Sequence, residues 1–591
     1  MRIKFIVFGS NADTGDLTTE LRQDGSLEGI NDYFLTPIYY FLKSFYKKIG
    51  KYYNKYIWLP TEYGEFKNTS VKNIISIIEK EKPDIICFSM FLWNFDVQIK
   101  IANIIKQKHP NIKLIAGGPS IDHKNPNTAN NYPFIDYFVY GDGEKAFTML
   151  LDSFYEPIDE RTIPNLITKE FKTNHEILRF KDYPAFSPYC DLKEDFINEH
   201  NQITDYLNKN TTNNYVLTYS FERIRGCPYA CTFCDWSGGL HHKLNKRLGD
   251  WKEEIKFLSK FNNISMHWID ANIGMMKEDI EIFKFGLSYT TNSFSFSGGN
   301  MAKLHKSNVF DIWRAIYEHG RGNVFKVSLQ HQDKQILKNI NRPELPWNEH
   351  KKLLINFRQK YNKAEYKVEL IHGLPGATIE AHKKQLIEFS EIPISIASLY
   401  AWELLHSSPA YDKSYQEKHN LKIITAGVVN TNVINSTIDD LYHNVSSDNY
   451  NPIEIYQSER ICDSNLGFKE YLIITYMTIL YNMLFETTLT TSEYNKIRFI
   501  NFLDYAMPII EKLAGEQTKD WDEKLEKYGF IIFGLPFGSN KTQTVQLGLG
   551  LTMICNKLFS GLLSGNIQTP WWDAYGHIED KTKQRGSLSE V

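Results

Sequence analysis

The sequence predicts an α/β protein in three main parts: a Rossmann-like N-terminal domain, a partial (β/α)6 barrel behind it, and a mainly helical C-terminal region. Three observations lead there. Apolar strand-like runs alternate with helix-period segments over the first 155 residues, a second series of that kind starts at Tyr215, and the alternation stops near residue 410. With 591 residues the chain exceeds what one hydrophobic core serves, so several folding units are expected.

Residues 1–155 carry strand candidates at 3–9, 56–59, 84–89, 113–116 and 137–140, with helix-period segments such as 97–108 and 144–153 between them. In a doubly wound sheet of this kind a ligand lies beyond the carboxyl ends of the strands. The residues there are short or flexible: Ser89, the pair Gly117 and Gly118, and the run Gly141, Asp142, Gly143 and Glu144. The first apolar run is too short for a signal-peptide core and reads as a buried strand. Residues 156–213 mix Pro, Asn and charge, and read as a connector.

The barrel is expected over 214–409, with strands at 216–223, 265–269, 293–297, 325–329, 366–371 and 395–399 and its chemistry at their carboxyl ends. Residues 410–591 lack the alternation. The apolar stretch 471–485 falls short of the ~20 residues that span a bilayer, so it reads as a buried helix. Trp571 and Trp572 read as core packing, and the C-terminal region as closing the barrel cavity or binding what enters it.

Composition narrows the function. Hydrophobic residues at 42% and charged residues at 23% describe a globular protein, and 14% aromatics favour buried pockets. A net charge of −3 offers no basic field for phosphates, so nucleic acid is not implied as a partner. Seven cysteines are too few for a disulfide scaffold and fit a reducing cytoplasm. Cys87, Cys190, Cys462 and Cys555 stand alone and read as small core residues.

The other three are crowded together. The segment RIRGCPYACTFCDWSGG follows the first barrel strand and spaces Cys227, Cys231 and Cys234 as Cys-x3-Cys-x2-Cys. Three thiolates so placed can hold three corners of a [4Fe–4S] cube and leave the fourth iron open. A structural zinc site is the alternative; it would need a fourth ligand, which His241 or His242 could supply, and usually pairs its thiols as CxxC units.

This loop, with Phe233 before the third cysteine, resembles that of the radical S-adenosylmethionine (SAM) superfamily. The resemblance extends over residues 215–405. It implies that Cys227, Cys231 and Cys234 bind a [4Fe–4S] cluster, that SAM binds its open iron, and that an electron cleaves SAM to a 5′-deoxyadenosyl radical. Gly298, Gly299 and Asn300 in SGGN resemble the Gly-Gly-Glu element for the SAM amino group, with Asn300 in place of the acid. Ser328 and Gln330 stand where the SAM ribose or carboxylate is contacted, and Gly373 and Pro375, in HGLPGAT, resemble the element shaping the adenine pocket. Barrel geometry also turns Asp270, Asn272, His331 and Glu369 toward the cavity.

The stretches KPDIICFSMFLWN, LIAGGPS and DYFVYGDGEKAF resemble the cobalamin-binding domain of the B12-dependent radical SAM subfamily. The resemblance implies a corrin over the strand ends, bordered by Ser89, Gly117, Gly118, Gly141 and Glu144. The Asp-x-His-x-x-Gly cobalt-ligand motif is absent and His123 reads as a loop residue, which agrees with that subfamily's base-off cofactor lacking a protein histidine. The function implied is methylation of an unactivated centre in a small-molecule or peptide substrate, with an electron donor such as flavodoxin or ferredoxin. The alternatives are a radical rearrangement, epimerisation or cyclisation without cobalamin, or a cluster-based sensor.

Overall fold

The computed structural model describes residues 1–7, 31–35, 38–63, 71–92, 94–210, 214–236, 243–298, 304, 308–322, 324–343, 345–392, 394–429, 455–463, 466–485, 493–529 and 531–533. The N-terminal sheet pairs Ile57–Trp58 and Glu62–Tyr63 with Arg2–Val7, and continues through Ile85–Ser89, Lys113–Gly117 and Tyr137–Val139, all parallel. All five expected strands are present. Their spatial order is 2-1-3-4-5, whose topological switch falls between Arg2–Val7 and Ile85–Ser89. The run Ile85–Ser89 is buried at every residue because helices cover both faces. On one side Ile74, Ile75 and Ile78 of helix Val71–Glu81 meet Ile101 and Ile105 of helix Phe95–Lys108.

Residues 156–213 form more than a connector. Leu166–Ile167 adds an antiparallel edge strand to that sheet, and Lys193–Asn210 is a helix packing Phe196, Ile203 and Leu207 against the barrel's first strand.

The barrel keeps all six expected strands within two residues and gains a seventh. Asn31–Leu35, from within the first 155 residues, pairs in parallel with Tyr215–Phe221; Ile264–Trp268 and Phe294–Gly298 follow. Val324–Gln330, Glu365–His372 and Ile394–Ala401 form the other arc. Period-2 alternation sends Phe325, Val327, Leu329, Tyr366, Val368 and Leu370 outward into a shared apolar core. The inward face is polar: Ser265 and His267 register beside Ser295 and Ser297, and Lys326 beside Lys367.

The C-terminal region holds the expected helices, Phe468–Phe485, Glu493–Thr518 and Trp521–Tyr528, but also a three-stranded sheet that was not expected. Leu421–Val429 pairs antiparallel with Ile455–Asp463 and parallel with Ile531–Phe533. Helix Phe468–Phe485 covers the outside of the barrel instead of its mouth. Tyr471 stacks on His372 at 3.9 Å, Thr478 bonds His382 at 2.7 Å, and Asn482 donates to and accepts from Ala397 on the sixth strand at 2.9 and 2.7 Å. Among the described residues no helix is long and apolar enough to cross a membrane.

Candidate active site at the barrel mouth

The cysteine loop is anchored before it reaches its first thiol. Asp270, at the end of the second barrel strand, accepts the amides of Arg223 and Ile224 at 2.7 and 2.8 Å. It is buried, burial pushes its carboxyl up to about 8, and it braces the loop instead of facing the cavity. Gly226 then turns at φ +98°, a conformation that favours glycine. Further along, Thr232 donates its amide to Ile340 and accepts from Ala410, while Asn341 holds the Ala230 carbonyl at 2.9 Å. The loop is thus tied to the second strand's end, to the turn after helix Lys334–Asn339 and to the segment after the sixth strand.

Cys227, Cys231 and Cys234 line one cavity of about 200 Å³ with Phe233, Asn272, Ser328, Gln330 and Glu369. These residues come from four separate stretches of sequence. Among the described residues no three His, Cys, Asp or Glu groups are placed to hold a single metal ion. Three thiols sharing one cavity fit three corners of a [4Fe–4S] cube. Burial, with smaller contributions from Cys231 and Cys227, pushes the Cys234 thiol up to about 12, so an iron cation is what would hold it as a thiolate.

Gln330 is the strained residue of the site. It has φ +65° at a register shift in the fourth strand, and its buried Oε1 has no partner among the described residues. Ser328 donates its hydroxyl to Glu369, and Lys326 lies 3.3 Å from the same carboxylate. Burial alone would raise the Glu369 pKa, but Lys326 and Ser328 bring it below the ordinary carboxylate value. Its charge is therefore kept at neutral pH.

The other predicted residues are placed differently. Gly298 does not line the cavity; a Cβ there would lie 2.9 Å from Ile273 and Phe283, so helix packing accounts for the glycine. Gly373 turns at φ +87° and the Pro375 carbonyl accepts from Asn339 at 2.8 Å, both beside the cavity wall and not in its lining. His331 is buried and also outside the lining, its Nδ1 accepting the Asp333 amide. Gly299, Asn300, His241, His242, Cys555, Trp571 and Trp572 lie outside the described residues, as does the side chain of Cys462. The sequence reading missed Lys326 and Arg342, both in the lining. Period-2 spacing with Ser328 and Gln330 could have found Lys326; no local signal marks Arg342.

At the N-terminal domain, Ser89 ends the strand at the switch point. Its buried Oγ and the Oε1 of Gln98 have no partner among the described residues, while Gln98 Nε2 donates to the Ser89 carbonyl at 2.6 Å. Two orphaned acceptors at the place where this topology binds ligands fit a large polar cofactor. Gly117 has room for close approach. Gly118, at φ +118°, is required for another reason, since a Cβ would sit 2.4 Å from the Met90 carbonyl. Gly141, at φ +63°, abuts His175. His123 is buried and stacked on Tyr140, and burial pushes its imidazole down to about 4.

Glu144 and Asp142 face the barrel. Arg225, two residues before Cys227, reaches Glu144 at 2.8 and 3.1 Å, Asp142 at 2.9 Å and Glu222 at 2.8 and 3.0 Å. A second seam joins Lys124 to Asp412 and Tyr411 to Asp122. The carboxyl ends of both sheets therefore meet beside the cysteine loop.

The B12 binding domain family matches residues 65–151, which hold the strands Ile85–Ser89, Lys113–Gly117 and Tyr137–Val139. A solved structure of the cobalamin-dependent SAM radical enzyme OxsB, with aqua-cobalamin and SAM bound, superposes with a TM-score of 0.55 over 100% of this chain and 84% of that one, at 13% identity. The chain has the fold of the B12-binding radical SAM enzymes. The methyltransferase TsrM from Kitasatospora setae, with cobalamin and a [4Fe–4S] cluster bound, gives 0.52 over 87% of this chain and 99% of that one, at 11% identity. By sequence, the chain is similar to the cobalamin-dependent radical SAM methyltransferase TokK of Streptomyces tokunonensis, at 28% identity over 51% of this chain and 44% of that protein. The 2-(S-pantetheinyl)-carbapenam-3-carboxylate methyltransferase of Streptantibioticus cattleyicolor is 27% identical over 50% and 43%. The chain spans less than half the length of these curated relatives.

Proposed function

We propose that the chain is a cobalamin-dependent radical SAM methyltransferase that acts in the cytoplasm on an unactivated centre of a small-molecule or peptide substrate, with a flavodoxin- or ferredoxin-like electron donor. The observation that carries this reading is the cavity where Cys227, Cys231 and Cys234 meet Ser328, Gln330 and Glu369 at the carboxyl ends of the barrel strands. When bound, the cluster with SAM supplies a hydrogen-abstracting radical and cobalamin a transferable methyl group.

The protein's share is placement. The three cysteines hold the cluster, and Phe233 walls the cavity beside them. Ser328, Gln330 and Glu369 orient SAM: the orphaned Gln330 Oε1 accepts a hydrogen bond, and the ionised Glu369 accepts from a hydroxyl or ammonium. Gly299 and Asn300 are assigned to the SAM amino group, and Gly373 and Pro375 back that pocket from outside its lining. Ser89, Gly117, Gly118 and Gly141 border cobalamin, and Glu144 holds its domain to the barrel through Arg225. The stacked, buried His123 supports a base-off cofactor without a protein imidazole.

The test is anaerobic reconstitution with iron, sulfide and hydroxocobalamin, followed by reduction with SAM present. A corrinoid spectrum retained at one equivalent, together with 5′-deoxyadenosine and methyl transfer to a substrate, is the expected result. Formation of 5′-deoxyadenosine without retained corrinoid makes the first domain a scaffold and shifts the reading to a radical rearrangement. Absence of both overturns it.

A further inference from the structure

Each sulfur of the cysteine loop receives a hydrogen-bond donor, and two of the three donors come from distant parts of the barrel. Asn272, in the turn after the second strand, donates from Nδ2 to Cys227 Sγ at 2.9 Å. Arg342 places Nη1 3.9 Å from Cys231 Sγ. Cys234 takes the backbone N–H of Trp236. The guanidinium is held in place by the Ser328 carbonyl, to which Nη2 donates, and lies 6.0 Å from the centre of the Phe233 ring. The Arg342 amide is tied to the Leu337 carbonyl at 2.8 Å, so the side chain starts from an ordered backbone.

Reduction adds negative charge that spreads onto the cluster and its thiolates. Hydrogen bonds to those sulfurs and a nearby fixed cation stabilise the reduced form more than the oxidised one, which raises the potential. Water could supply hydrogen bonds in place of Asn272, but not a guanidinium charge in place of Arg342. A side chain with five donors that turns one toward a thiol and another toward a strand-end carbonyl is built to hold that charge still.

We infer that Arg342 and Asn272 are tuning residues that set the reduction potential of the cluster, raising it to a value a one-electron protein donor can reach. This rests on the cluster assignment under the proposed function. It assigns a role to two residues outside the cysteine motif, one of them 111 positions from the thiol it contacts.

The experiment is a redox titration of the reconstituted holoenzyme, followed by electron paramagnetic resonance, on the wild type and on Arg342→Gln, Arg342→Lys and Asn272→Ala. Iron and sulfide content are measured first for each. Arg342→Gln and Asn272→Ala are expected to disfavour the reduced cluster by about tenfold each, which is about 59 mV for a one-electron couple. Arg342→Lys, which keeps the charge and loses the planar donor set, should fall between wild type and Arg342→Gln. Potentials unchanged or raised in both Arg342→Gln and Asn272→Ala overturn the inference. If Arg342→Gln fails to retain iron, Arg342→Lys and Asn272→Ala decide by the same criterion. A wild-type chain that assembles no cluster overturns the functional reading itself, whereas an intact cluster with an unshifted potential overturns this inference alone.

Discussion

Replacing Arg225 with methionine should loosen the docking of the B12-binding domain on the barrel. The Arg225 side chain is 21% exposed, whereas those of Glu144 and Asp142 are each 4% exposed. Both Glu144 oxygens bond to Arg225, so truncation leaves a buried carboxylate facing a void. Asp142 fares better, because it keeps the Leu178 amide at 2.8 Å. Removing one partner of a buried pair costs roughly 3–5 kcal/mol, and the partial exposure of Arg225 places the value near the lower end, at about 3 kcal/mol. At roughly 2–4 °C per kcal/mol for a unit of 150–250 residues, the melting temperature should fall by about 6–12 °C.

The assay is calorimetry of the anaerobic protein, paired with corrinoid retention through gel filtration. Arg225→Met should lose corrinoid faster than wild type while keeping its iron, since the thiols themselves are untouched. The double variant Arg225→Met with Glu144→Met should recover most of the melting temperature, because a buried pair replaced by apolar groups of similar size is often neutral. A loss under about 1 kcal/mol, or losses that simply add in the double variant, would refute the reasoning and make the contact an ordinary surface pair.

Four other outcomes are expected. Burial pushes His200, His331 and His372 down to about 4 and His267 to about 3, so these rings stay neutral in the folded chain but protonate in the unfolded one below about pH 6.5. The unfolded state then binds more protons, and stability should fall as pH drops from about 6.5 toward 4, by up to about 1.4 kcal/mol per unit for each ring; urea midpoints that stay constant from about pH 7.5 to 5.5 would contradict this. Gly118→Ala should prevent folding, since its Cβ would meet the Met90 carbonyl at 2.4 Å with φ +118°. Gly117→Ala, with its nearest contact at 3.4 Å, should melt close to wild type but bind hydroxocobalamin more weakly, and unchanged affinity would remove Gly117 from the cofactor site. Asn482→Ala should cost about 2–3 kcal/mol by orphaning the Ala397 N–H and C=O, as read by denaturant unfolding.

Local pattern carried most of the fold and one part of the site. Strands such as Ile85–Ser89 and Val324–Gln330 are legible because burial on both faces, or on one, writes a continuous or alternating apolar run. Asn31–Leu35 was not legible: five residues beginning with Asn and Asp become a strand only because Tyr215–Phe221 offers an edge 184 positions later in register. The antiparallel C-terminal strand pair was not legible for a similar reason, since Ile455–Asp463 carries Gln, Ser, Glu and Arg in its middle and depends on a long-range partner. Within the site, the thiols are fixed by spacing inside one loop. Arg342 is not, because its relation to Cys231 exists only after the fourth strand and its helix have packed. Gly298 was read as a ligand contact when Phe283 is the neighbour that explains it, since a strand-end glycine looks the same whether it makes room for a cofactor or for a helix.

The polar inward face of the barrel raises the question of what stabilises it. Barrels of this type usually fill their interior with branched apolar side chains in layers. Here the inward positions include Ser265, His267, Ser295, Ser297, Lys326 and Glu369, and a cavity of about 200 Å³ opens among some of them. Such an interior contributes little hydrophobic stabilisation and must satisfy its polar groups, as His267 does with Ser297 at 2.9 Å and Lys326 does with Glu369. The compensation lies outside. Helix Phe468–Phe485 buries Tyr471, Leu472, Ile473, Ile474, Tyr476, Met477, Leu480 and Tyr481 in the same core as Val368, Leu370 and Ala397 of the fifth and sixth strands. A helix apolar on nearly every side is what a wall buried between the barrel and a second helix layer requires. The C-terminal region thereby lets the barrel keep a polar centre: apolar burial that most barrels place inside is moved to the outer surface, where it leaves the thiols and their neighbours lining an open cavity.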